Sequence, residues 1–218
     1  MTPPPLRREI TQSASELIVM WHGLFIALEG IDGSGTTTHL KLLSSWLTTK
    51  GYEVVKTHEP TDGRIGRVIR EVLRDSSVPS AIDALLFAAD RVDNTINCIQ
   101  PALDKGKIVI TDRYVESSIA YQTSSGLDMA WVRELNKLAL TPNITILLDL
   151  SPQVALARKR KSKEKEKFER TAFLKNVRQI FLSRAEEEGF KVVNAERSIK
   201  EVQSKIRKYV QPLLGNLK

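Results

Sequence analysis

The chain has 218 residues, 41% of them apolar and 27% charged, which suits one globular domain and excludes a disordered, fibrous or collagen-like chain. Thirty-three Lys and Arg against 26 Asp and Glu leave a net charge of +7, a balance that attracts nucleic acid or phosphorylated small molecules. The single cysteine, Cys98, excludes an internal disulfide and predicts a reducing, cytoplasmic setting.

Residues 1–22 read as an N-terminal extension to one domain over 23–218. Pro3, Pro4 and Pro5 forbid helix there, and the stretch 10–20 is only weakly amphipathic. The apolar run 17–28 is broken by His22 and Gly23 and is shorter than the roughly 20 residues a bilayer needs, so no membrane segment is predicted. Residues 24–29 then predict a first strand, 30–35 a glycine-rich turn, 36–50 a helix stopping at Gly51, and 53–57 a second strand. Helices are predicted over 64–75 and 80–100, with Leu85, Ala89, Val92 and Ile96 as the core face of the second. A strand over 107–111, helices over 114–122 and 128–139, and a strand over 144–150 follow. Helical patterns at 151–162 and 169–188 flank a basic joint, and 191–194 and 199–213 close the chain as strand and helix. Alternating strands and helices, with strand runs lacking polar alternation, predict an α/β fold on a parallel sheet covered on both faces.

The turn Gly30-Ile31-Asp32-Gly33-Ser34-Gly35-Thr36-Thr37 lies between a strand and a helix. Backbone N–H groups and a helix N-terminus in that setting cradle phosphates, and a tight ligand-free turn is the bland alternative. The spacing matches G-x-x-x-x-G-K-[S/T] except that Thr36 occupies the lysine position, where a cation ordinarily reaches the β- and γ-phosphates. Thr37 is the residue expected on a magnesium ion. Further along, Ser118, Tyr121 and Gln122 share one helical face, and Phe87 and Arg91 share another. A ring beside a guanidinium suits a pyrimidine base, by stacking on one and hydrogen bonding to the other.

The segments FIALEGIDGSG, THEPTDG, LLFAADR, DRYVESSIAYQ and LLDLSPQVALARKR, in that order and spacing, resemble thymidylate kinases over roughly residues 24–212. The resemblance implies a three-layer P-loop nucleotide kinase with about five parallel strands, transferring the γ-phosphoryl of ATP, with Mg²⁺, to dTMP, and forming a homodimer. It also implies that Gly30 to Thr37 bind ATP, that Phe87 stacks on thymine, and that Arg91 and Gln122 read its polar edge, with Ser118 beside them. Arg113 and Arg70 would hold the acceptor phosphate, Asp32 the sugar 3′-hydroxyl, and Tyr121 would crowd the 2′ position. Glu59 and Asp112 would lie near the metal with Thr37. Phe87 as plain core, Asp112 as a cap and Arg70 as a solvated charge are the simpler alternatives.

The chain departs from the family pattern at Thr36, at His58 before Glu-Pro, and at Lys167. The cationic run 158–167 reads as a lid, about 158–168, over the donor phosphates, a solvated charged helix being the alternative. No aromatic platform or recognised module accompanies it, so no nucleic-acid partner is predicted. Lid-type thymidylate kinases use an arginine from this segment, here Arg158 or Arg160. Two other readings stay open: a kinase of another nucleotide, and a nucleotide-binding paralogue of low turnover, which Thr36 favours.

Overall fold

The computed structural model describes residues 23–75, 77–159 and 171–217. Five strands, β1 (Leu24–Glu29), β2 (Val54–His58), β3 (Ile108–Asp112), β4 (Ile144–Asp149) and β5 (Lys191–Asn194), form one parallel sheet in the order β2-β3-β1-β4-β5. Side chains alternate across a strand, so a strand buried on both faces reads as an unbroken apolar run. β1 does this: Leu24, Ile26 and Leu28 pack with Leu43, Leu47, Phe181 and Ile206, while Phe25 and Ala27 pack on the other side with Ile99, Leu103 and Tyr114. The helices on the sheet are α1 (Thr36–Thr49), α2 (Arg64–Val72), α3 (Ser80–Asn94), α4 (Gln100–Asp104), α5 (Val115–Ser124), α6 (Met129–Leu135), α7 (Pro152–Lys159), α8 (Thr171–Glu188) and α9 (Ile199–Val210). β1 runs from Leu24 at one edge of the sheet to Glu29 at the edge that bears the phosphate loop.

Two helical expectations are corrected. The single helix expected over 80–100 divides into α3, a π-turn at Thr95–Ile99, and α4. Pro101 stands in the first turn of α4 and has no N–H for the carbonyl four residues back, and the wider turn accommodates its ring. The core face expected on that helix also points the other way, with Leu85 on α3 51% and Ile96 in the π-turn 55% exposed. The inner face carries Ala84 and Ala88 with the polar residues Asp90, Arg91 and Asn94, each hydrogen-bonded. Buried polar groups that find partners need no apolar face to hold them, so hydrophobic periodicity pointed to the wrong side. Elsewhere the ends shifted: Asp128 caps α6 by accepting from Trp131 N (2.8 Å), and Ser198 and Glu201 form a capping box on α9.

Candidate active site

At the C-terminal edge of the sheet, where β1 meets β3, a cleft of about 800 Å³ opens; this is the usual ligand crevice of an open parallel sheet. One wall is the phosphate loop, with Asp32, Gly33, Gly35, Thr36 and Thr37 facing the cleft. Gly30, Ile31 and Ser34 shape the loop from behind, and Ile31 and Ser34 are buried. Gly33 adopts φ +85°, and a Cβ on it would stand 2.9 Å from Ala155 O, so only glycine lets α7 approach the loop so closely. Thr36 is nearly buried and opens the first turn of α1. His39, one turn on, brings no charge: burial lowers its pKa, Arg158 lowers it further, and its Nδ1 lies 2.9 Å from Gln203 Oε1.

Across the cleft, α3 offers Phe87 and Arg91, and α5 offers Ser118, Tyr121 and Gln122. Arg91 is fully buried and held by Glu59 (2.6 Å), Tyr114 O (3.1 Å), Ser118 Oγ (3.0 Å) and Asn136. Burial pushes the Glu59 carboxyl up, against the pull of Arg91. Two buried groups on this wall lack partners, the donor Arg91 Nε and the acceptor Gln122 Oε1. Buried polar atoms without partners are rare enough that each calls for a ligand or a water.

Between the two walls stands Arg113, in a left-handed conformation at φ +71°. Its guanidinium donates to Gly30 O (2.9 Å), Ser117 Oγ (3.3 Å) and Asp32 Oδ1. Burial works against this charge, but Tyr121, Asp32, Asp112 and Glu29 outweigh it and hold the pKa up. Asp32 N donates to Tyr121 Oη at 3.1 Å, linking the phosphate loop to α5, and burial also raises the Tyr121 phenol. Thr37 Oγ1 donates to Asp112 Oδ2, while Asp112 Oδ1 is buried without a partner. An orphaned carboxylate oxygen beside a phosphate-loop hydroxyl fits a hard dication that takes most of its ligands from water and phosphate. Glu59, expected nearby, is committed to Arg91, and no group of three or more His, Cys, Asp or Glu gathers among the described residues.

Arg70 reaches the cleft, but its guanidinium donates to Pro60 O and Thr61 O (both 2.6 Å), Gly66 O (3.1 Å) and Asp62 Oδ1 (3.3 Å). Arg158 donates to Gly33 O (3.3 Å) and Ala195 O (2.8 Å), touching the phosphate loop from outside the cleft. Arg160 and the rest of the expected lid, to residue 168, lie outside the described residues. Sequence reasoning missed Leu73, Arg74, Tyr114 and Ser117 on the cleft wall, and Glu29 and Asn136 behind it. Glu29 carried a signal, an acid closing the otherwise apolar strand LFIALE. Arg74 and Asn136 carried none.

The family model described as thymidylate kinase matches residues 28–206. A probable thymidylate kinase of Pyrobaculum aerophilum is 44% identical over 188 residues, covering 86% of this chain and 96% of its own. One of Thermococcus kodakarensis is 41% identical over 203 residues, covering 88% and 99%, and a thymidylate kinase of Symbiobacterium thermophilum is 42% identical over 202 residues, covering 88% and 94%.

Proposed function

The chain belongs to the thymidylate kinase family, and from that premise we propose that it transfers the γ-phosphoryl group of ATP to dTMP, giving dTDP for dTTP synthesis. The observation that carries the acceptor is the pair of unpartnered groups beside Phe87, the donor Arg91 Nε and the acceptor Gln122 Oε1. A thymine ring presents an imide N–H flanked by carbonyl oxygens, which is the complement of that pair, and Phe87 supplies a face to stack on.

In this reading an oxygen of the acceptor phosphate forms a bond to the γ-phosphorus as the bridging oxygen to the β-phosphorus departs with ADP. The protein positions and stabilises charge, and no general base is needed, because the acceptor phosphate is already anionic. The phosphate loop 30–37 holds the donor by its N–H groups, Arg113 holds the acceptor phosphate beside Asp32, and Asp32 also meets the sugar 3′-hydroxyl. Tyr121, packed against Asp32, narrows the 2′ side, and Ser118 fixes Arg91. Arg70 steadies the loop 59–63 as well as facing the acceptor. Thr37 and Asp112 are the residues that would hold Mg²⁺, which would offset the charge of the donor phosphates. Arg158 and Arg160 complete the donor side from the lid. The exposed stripe of Leu85 and Ala89 on α3 and Ile96 in the π-turn after it supports a homodimer, and the lone, half-buried Cys98 supports a reducing cytoplasm. Among the described residues no helix is long and apolar enough to cross a membrane.

A coupled assay with Mg-ATP and a panel of acceptors tests the assignment. dTMP should lead and dUMP should follow, because one methyl in an apolar pocket is worth only about 1–3 kcal/mol. Equal kcat/KM for dTMP and AMP would overturn it.

A further inference from the structure

Among the described residues Arg113 is the only non-glycine with a positive φ. A side chain disfavours such a conformation, which persists only where neighbours over-determine it. The neighbours are specific. Arg113 N donates to Leu28 O (2.9 Å), and Thr111 Oγ1 donates to Arg113 O (2.7 Å). The N–H groups of Tyr114 and Ser117, just after it, both donate to Glu29 Oε1, at 2.9 and 3.2 Å. Ser117 Oγ donates to Glu29 Oε2 at 2.5 Å and accepts from Arg113 Nη1 at 3.3 Å. A directed relay therefore runs from the Arg113 guanidinium through the Ser117 hydroxyl to the Glu29 carboxylate.

Resting on the kinase reading above, we infer that Glu29 is a positioning residue for the acceptor phosphate: it locks the Arg113 turn and aims the Arg113 guanidinium. Glu29 is fully buried and touches no cleft space, so its effect passes through Arg113 and Ser117. The carboxylate matters as such, because both its oxygens accept. With glutamine, one end becomes a donor facing the Ser117 hydroxyl, which already receives Arg113 Nη1, and the relay loses its direction. Glu29 immediately precedes Gly30, whose carbonyl accepts from the same guanidinium, so the residue that ends the donor loop's strand also orients the acceptor's cation.

The test is steady-state kinetics of the full chain with dTMP and Mg-ATP, run at pH 8, above the value of about 7 to which burial pushes the Glu29 carboxyl. Glu29→Gln should lower kcat/KM for dTMP by about tenfold to a hundredfold, the range a small misplacement of a binding group produces, mainly through KM. The KM for ATP should stay within about twofold. Should Glu29→Gln fold poorly, Ser117→Ala cuts the same relay and should raise the dTMP KM in the same selective way. A fall in kcat with both KM values unchanged would mean that Glu29 only supports folding, and would overturn the inference. So would kinetics like those of the unmodified protein. An unmodified chain inactive on dTMP would overturn the kinase reading itself, and this inference with it.

Discussion

Thr36 stands where a lysine would balance the charge of the moving phosphoryl group, and its surroundings bear on how that loss is met. His39 is held neutral by burial, and of the described cations that touch the loop Arg113 is engaged by Gly30 O and Asp32 on the acceptor side, which leaves Arg158, on Gly33 O, for the donor side. A charged donor aimed at a developing anion is worth roughly 10²–10³ in kcat, and a hydroxyl supplies less. Thr36→Lys, with its side chain opening into the cleft, should raise kcat about tenfold and leave the dTMP KM nearly unchanged. Arg158→Ala should cost more in the native background than beside Lys at 36, since two groups sharing one task do not add. A double-mutant cycle on kcat at saturating dTMP measures this; strict additivity would show that Arg158 does not stand in for the lysine. Glu29 makes a second, independent expectation. Burial, opposed by Ser117 and Arg113, moves its carboxyl from 4.5 to about 7. Between those values the folded chain keeps a proton that the unfolded chain has released. Stability therefore falls as pH rises through that window, by roughly 3 kcal/mol in all, and is flat above it. Urea denaturation at pH 5 and pH 8 should show the unmodified protein losing most of that margin relative to Glu29→Gln. A pH-independent difference between the two would contradict the buried titration.

At the scale of elements, α3 shows what a sequence pattern can and cannot say. Its apolar stripe was legible, but its meaning was inverted, because the inner face is held by Asp90 on Thr61, Arg91 on Glu59 and Asn94 on Thr57. No pairwise partner over such distances is visible in one chain's periodicity. The strand β1 and its glycine loop were legible because both needs are local, an unbroken apolar run and φ values that favour glycine. The site was legible at Phe87, Arg91, Tyr121 and Gln122, where i, i+3 and i+4 spacing gathers residues on a face. It was not legible at Arg74 or Asn136, which reach their places through the packing of α2 and α6. The stripe itself carries a prediction. Leu85 and Ile96 are each more than half exposed, as an outward face that pairs with a second copy would be in a single chain. Leu85→Glu should shift sedimentation from dimer to monomer while leaving the circular dichroism spectrum intact. A native protein that sediments as a monomer at micromolar concentration would remove this reading.

For the whole molecule, the strand order sends the phosphate loop, the Arg113 turn and the loop 59–63 to one edge of the sheet, so both nucleotides are met on one side. The opposite edge has a different use. The described chain enters β1 at Leu24, six residues before the loop, and at about 3.3 Å per residue those six put the entry point roughly 20 Å from the cleft. Whatever precedes that point is joined to the face away from the chemistry. A chain fixed to a bead or a sensor chip through a residue of that edge, such as Lys107 beside Leu24, would therefore present its open mouth to solution, free to bind and release nucleotides.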